Sequence, residues 1–171
     1  FKKDKFLGFS SEEESKGINL ILNRVKNFNV STKCDENYIV GNIGNVLTQI
    51  KTNLKGNNPS IDIKVTGEGS ILETNCDINL MSDKVIHEIE EKFEKEAKKI
   101  IQKGLKVAQK EYKSDVLGFG QLYYHYYPNY YKKVSKIWDE EIFPDIKVNI
   151  KVDFNIKTKG SLEQSIRKEE R

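Results

Sequence analysis

Few of the groups on which chemistry is usually built are present. The 171 residues include two cysteines, two histidines and, among the basic residues, only Arg24, Arg167 and Arg171 as arginines. With no CxxC and with thiols and imidazoles at unrelated spacings, the chain offers no zinc ligand set. The net charge of +3 comes chiefly from lysine, and with only three guanidinium forks it makes nucleic acid a poor partner. No apolar run approaches the roughly 20 residues of a membrane-spanning helix, and the mean hydropathy is −0.64. The chain begins at Phe1, without a basic and then apolar leader, so we expect a single domain, residues 1–171, cut from a longer protein.

Nothing among the remaining residues composes a catalytic site. His87 stands beside Glu88 and Glu90 at spacings unlike HExxH and reads as a solvated or partly buried residue. His125 lies among tyrosines with no Asp or Ser at a useful spacing. Gly118 to Tyr123, GFGQLY, lacks the third glycine of a dinucleotide loop and follows a helix rather than a strand. We therefore expect no enzyme, no metal and no cofactor. Cys34 and Cys76 leave two readings open: two small buried residues, or one disulfide, since both fall near predicted strand ends.

What the chain does have is pattern. Ser11 and Glu14 have the spacing of a capping box and start a helix whose stripe is Ile18, Ile21, Leu22 and Val25, with Gly17 as a point of close packing. From Phe28 the period changes to two. A strand to Lys33 and a second from Tyr38 to about Leu54 follow, with Gly41 and Gly44 marking a bulge or a close backbone approach. After the turn KGNNPS a third strand buries Ile61, Ile63 and Val65 and is expected to be interrupted at Gly67 and Gly69.

Residues 83–113 repeat apolar positions at steps of three and four, from Val85 to Tyr112, and predict one long helix. Its first half carries six acids against three lysines and its second half six lysines against one acid, matching the helix dipole. A short helix over Leu122 to Tyr127, a helix over Pro128 to Glu140 that returns along the sheet, and a strand with Ile146, Val148, Ile150, Val152, Phe154 and Ile156 on one face complete the pattern. The expected fold is α+β: a four-stranded antiparallel sheet with one face covered by helices, and a frayed tail at 161–171.

The strongest oddity is aromatic. Six of the eight tyrosines fall between Tyr123 and Tyr131, with only Lys132 and Lys133 as flanking cations. Base stacking would interleave basic residues with the rings. Packing on the sheet, a belt at a membrane interface or protein contact, or an aromatic pocket for a small molecule fits better, and we take Tyr124, Tyr127, Tyr131 and Lys132 as candidate interaction residues.

Three stretches carry a family resemblance: SSEEESKGINLIL at Ser10 to Leu22, VAQKEYKSDVLGFGQLYYHYYP at Val107 to Pro128, and KIWDEEIFPDIKVNIKVDFNIKTKG at Lys136 to Gly160. Lys113-Ser114-Asp115, Gly118-Phe119-Gly120, Tyr127-Pro128, Trp138, Phe143-Pro144 and the closing strand are its specific points. Over nearly the whole chain the order of segments resembles the C-terminal domain of the Ger(x)C family, the lipoprotein C subunits of spore germinant receptors. Tyr131 stands where a second tryptophan would be expected. The resemblance implies a non-enzymatic receptor component, held by an N-terminal lipid anchor on the outer face of the spore inner membrane and working with the integral-membrane A and B subunits. It brings no catalytic residues, and a placement outside the cytoplasm favours a Cys34 to Cys76 bridge.

Overall fold

The computed structural model describes residues 8–158; the expected frayed tail at 161–171 lies outside them. Two compact units divide the chain, one of residues 8–24, Thr48–Lys64 and Ile100–Lys151, the other of Val25–Leu47, Val65–Lys99 and residues 152–158.

The first unit begins with α1, Glu12–Ile21. Both halves of the expected capping box are made: the Glu14 N–H donates to Ser11 Oγ at 3.3 Å and the Ser11 N–H to Glu14 Oε2 at 2.7 Å. Because the helix stops at Ile21, its buried face is Gly17, Leu20 and Ile21 rather than the longer stripe that runs to Val25. Gly17 is the close contact expected of it. A Cβ there would sit 2.2 Å from the Ile100 carbonyl oxygen, on α2 (Asp83–Lys106), and one on Gly104 would sit 2.5 Å from the Ile18 nitrogen. Lys103 and Glu13 pair beside this crossing. The end of α1 is held by buried Thr48, whose hydroxyl donates to the Leu20 carbonyl at 2.6 Å while its N–H donates to Asn23 Oδ1 at 3.0 Å.

In the second unit β1 (Phe28–Cys34) pairs antiparallel with β2 (Asn37–Lys55), Phe28 opposite Ile43 and Cys34 opposite Asn37. Burial in β2 falls on Ile39, Gly41 and Ile43 and then moves to Val46, so the bulge lies at Gly44 and Asn45, where Asn45 has φ 52°. Gly41 is a separate device: a Cβ there would meet the Phe93 ring of α2 at 2.5 Å. β3 (Asn58–Thr74) is not interrupted at Gly67 and Gly69. Both are buried members of its inner row, and they lack side chains because Ile43 of β2 fills that space, 2.6 and 2.9 Å from the Cβ positions.

The sheet order is β1-β2-β3-β4, with β4 at Lys147–Thr158. Partners run in opposite senses between β2 and β3, as Asn53 bonds Asp62 and Gly41 lies against Ser70. They run in the same sense between β3 and β4. Asp62 meets Asn149, Gly67 meets Phe154 and Gly69 meets Ile156, each partner 87 residues further on. That pairing is parallel, so the α+β sheet is mixed and not purely antiparallel. The physical reason is the expected Pro128 helix, which stops at Val134 as α4 (Pro128–Val134) and is followed by a turn and a wide π turn at Trp138–Ile142. At about 1.5 Å per residue so short a helix cannot run back along the sheet, and only α2 reverses the chain between β3 and β4.

Cys34, at the end of β1, and Cys76, just past β3, form a disulfide with Cα atoms 6.2 Å apart, within the usual span of about 4.4–6.8 Å.

Two outcomes are expected. Gly17→Ala and Gly104→Ala should each lower the unfolding free energy by about 1–3 kcal/mol, because backbone atoms rather than flexible side chains stand in the way. Urea denaturation checks this, with Gly44→Ala, whose Cβ would have room at 3.9 Å, as the mild control. Replacing Cys34 and Cys76 together by serine should cost about 4 kcal/mol for a loop of this length, and a midpoint that does not move would show that the bridge does not constrain the unfolded chain.

Candidate interaction surface

The chemistry of the first unit is concentrated after α2. There the helix widens into a π turn at Val107–Glu111, followed by a tight passage through Ser114 to α3, Phe119–Tyr126. The widening carries buried Gln109 to a position where its Nε2 donates to the Phe143 carbonyl at 2.8 Å and the Ile146 carbonyl at 3.1 Å. Those carbonyls belong to the tight bend before β4, where a buried carbonyl needs a donor.

Asp115 is the centre of the next layer. Its Oδ1 accepts the Phe119 N–H at 3.0 Å, and its Oδ2 accepts the Gly120 N–H at 2.5 Å and the Trp138 indole N–H at 2.8 Å. It thus satisfies the first free amides of α3 and pins the tryptophan at the same time. Gly118 supplies the left-handed turn into α3 at φ 75°, and Gly120 leaves room for the clasp, since a Cβ would come within 2.8 Å of Trp138 Nε1 and 3.1 Å of Asp115 Oδ2. Burial pushes the Asp115 carboxyl above its ordinary value, the Gly120, Trp138 and Phe119 N–H groups pull it down, and the Asp139 charge adds to the rise.

The tyrosines divide on this base. Tyr123 is fully buried, and its hydroxyl lies 2.8 Å from both the Asn53 and the Ser60 carbonyl oxygens at the end of the β2–β3 hairpin, donating its one proton between them. Burial holds that hydroxyl far above the usual phenol range. Its ring packs against Tyr127, Tyr130 and Trp138 at centroid distances of 5.7, 5.9 and 5.3 Å. Of the four candidate residues, Tyr127 is half-buried and donates to the Thr52 carbonyl at 3.3 Å. Tyr131 is half-buried between Trp138 at 5.3 Å and Tyr124 at 6.0 Å. Tyr124 is 65% exposed, and Lys132 is exposed as well. Tyr126, also 61% exposed, borders with Tyr127, Ile50, Lys51 and Thr52 an open hollow of about 380 Å³. Tyr124, Tyr127 and Tyr131 are thereby gathered in one aromatic cluster, whereas Cys34 and Cys76 belong to the other unit.

Sequence reasoning missed Asp115 and Gln109. The signal for Asp115 was present, an aspartate four residues before a helix that opens on Gly-Phe-Gly, but it reads as a clasp only once Trp138 is seen beneath it. His87 is an exposed residue within 3.3 Å of Glu90, and His125 packs edge-on against Tyr126. Among the described residues no group of three or more His, Cys, Asp or Glu gathers to hold a metal ion, and no helix is long and apolar enough to cross a membrane.

Comparison with known proteins gives a consistent result. The family model "Spore germination B3/ GerAC like, C-terminal" matches residues 1–160. The chain is similar to spore germination protein YndF of Bacillus subtilis (strain 168), 29% identical over 141 residues that make up 81% of this chain and 35% of that one. It is similar also to spore germination protein KC of the same organism, 31% identical over 113 residues, 66% of this chain and 28% of that one. The fold matches the crystal structure of the GerBC protein with a TM-score of 0.81 at 24% identity, covering 91% of this chain and 48% of that one. The chain spans less than half the length of each of these relatives.

The clasp has a pH signature. The Asp115 carboxyl titrates above its ordinary 3.8 in the fold, so its contribution is fully present below that pH and fades as pH rises through the raised value. Asp115→Asn, which turns an amide NH₂ toward N–H donors, should destabilise by about 1–3 kcal/mol, more at acid than at neutral pH. Urea denaturation of both proteins across that window checks it. A penalty that grows toward neutral pH would instead mean that the three N–H donors outweigh burial.

Proposed function

Since the chain belongs to the family of spore germination B3/GerAC-like C-terminal domains, we propose that it is the C-terminal domain of a germinant-receptor C subunit and acts there as a non-enzymatic docking module. Its partners on this reading are the integral-membrane A and B subunits, and an N-terminal lipid anchor upstream holds the whole protein on the outer face of the spore inner membrane. Residues 1–171 form one domain of that protein. Such a compartment would keep the Cys34 to Cys76 bridge oxidised.

The observation that carries the docking role is the outward display of Tyr124 and Tyr126 on a floor that is itself immobilised. Tyr124 leans on Tyr131, Tyr131 on Trp138, and Trp138 on the Asp115 carboxylate. Rings held in this way lose little conformational freedom on contact and bury much apolar area, which suits them to protein interfaces. Lys132, exposed and next to Tyr131 in the chain, supplies a cation.

A second reading rests on the hollow between Tyr126, Tyr127, Ile50, Lys51 and Thr52. Its volume of about 380 Å³ would admit a small nutrient, and two phenols and one ammonium line it. Its open shape favours a side chain of a partner over a free small molecule.

Calorimetric titration of the domain with amino acids and sugars separates the two, since saturable binding would sink the docking-only reading. For docking, Tyr124→Ala with Tyr126→Ala should leave the thermal midpoint within about 2 °C and lower co-purification with the A or B subunit at least tenfold. Undiminished capture would place the contact elsewhere.

A further inference from the structure

The two edges of the sheet are treated differently. At the β4 edge, Glu94 Oε1 accepts the Phe154 N–H at 2.9 Å and Glu90 Oε1 accepts the Ile156 N–H at 2.7 Å. Two carboxylates of α2 thus occupy the outward amides, and that edge is closed to a further strand. Over Ser31, Thr32 and Lys33 of β1, no carboxylate of α2 takes up a backbone amide among the described residues. Beside this stretch runs an open channel of about 440 Å³, lined by Ser31, Thr32 and Lys33 of β1, Tyr38 of β2, and Lys92, Lys95, Glu96 and Lys99 of α2.

The flank of α2 that borders this channel is cationic. Lys92, Lys95 and Lys99 follow steps of three and four and so share one side of the helix. Glu96 is taken up by Lys99 at 2.7 Å, whereas Lys92 and Lys95 are exposed and have no ion pair among the described residues. Lys33 stands 5.7 Å from the centroid of the Tyr38 ring. A strand stretch such as Ser31 to Lys33 facing a helix flank across an open channel suits an extended peptide that adds to a sheet, with backbone bonds to the edge and side chains directed at the helix.

We propose that the channel between β1 and α2 receives an extended acidic segment of another polypeptide, which pairs with β1 over Ser31 to Lys33 and sets its carboxylates against Lys33, Lys92 and Lys95. The chain's own outlying segments do not fit the charge: residues 1–7, FKKDKFL, hold three lysines to one aspartate, and residues 159–171 hold four bases to three acids. A channel bounded by a strand and a helix also fits an extended chain better than a flat anionic membrane. The inference concerns the second unit alone and stands or falls independently of the tyrosine face.

The test uses the whole chain and the peptide acetyl-(Glu-Thr)₅-amide, with (Lys-Thr)₅ and phosphatidylglycerol vesicles as the other arms. Saturable binding of the acidic peptide is expected, weakening as salt is added. Hydrogen exchange at outward amides within residues 31–33 should slow at least tenfold in its presence. Lys92→Glu with Lys95→Glu, two exposed positions, should keep the circular dichroism spectrum and lose at least tenfold in affinity. The proposal is overturned by absence of saturable binding, by equal binding of the lysine peptide, or by an unchanged double variant. Binding to the vesicles without the peptide would assign the lysines to a membrane surface, and a concentration-dependent dimer abolished by the same substitutions would assign them to a second copy; either also overturns it.

Discussion

The parallel pairing of β3 with β4 is the constraint on which the rest of the chain depends. A parallel neighbour is entered from the same end as the strand it joins, so α2 must carry the chain back and everything after it must turn in place. Turning in place exposes backbone groups that no regular element satisfies, and buried ones need partners. Gln109, carried inward by the π turn, supplies two carbonyls of the bend before β4 with donors. Asp115 gives the start of α3 its acceptors and ties Trp138 to the same point. These two side chains do the work that a second sheet-length helix would have done through its own hydrogen bonds.

This explains which parts of the fold were legible in the sequence. Strand residues announce themselves when one face is wet, and the alternation from Ile146 to Ile156 is seen in burial as it is in hydropathy. Capping chemistry is equally local, and Ser11 with Glu14 could be read directly. Strand direction is not local. Nothing in β4 distinguishes a parallel from an antiparallel neighbour, and the inference turned on one helix being long enough to return. Tyr131, Val134 and Trp138 keep helical spacing, yet the helix ends at Val134, because Trp138 is drawn to a carboxylate 23 residues earlier in the chain. Gly67 and Gly69 misled for a related reason: what excludes a side chain there is Ile43, on another strand.

The charges of α2 acquire a second meaning from the same geometry. Along its axis the acids precede the lysines, which dipole matching accounts for. Around its axis Glu90 and Glu94 fall on the flank beside β4, and Lys92, Lys95 and Lys99 on the flank beside β1. The axial split would be satisfied by many arrangements, but the one present places each acceptor where an edge offers donors. Burial raises the Glu94 carboxyl against the bond from Phe154, so occupying that edge opposes desolvation. Lysines cannot occupy strand amides in that manner, since an ammonium only donates.

The tyrosine segment shows how a run of similar residues becomes two structures. Tyr123, Tyr127 and Tyr130 turn inward, where the first shares its one hydroxyl proton between two strand carbonyls and is fully buried. Tyr124 and Tyr126 turn outward. Tyr131 belongs to both, since one side of its ring meets Trp138 and the other meets Tyr124. The aspartate, glycines and tryptophan that carry the family resemblance therefore lie beneath the display rather than in it. Their chemistry is satisfied internally, as a clasp with three donors on one carboxylate, and this leaves the exposed rings with no structural task of their own. Such rings are free to serve a partner because the scaffold does not need them.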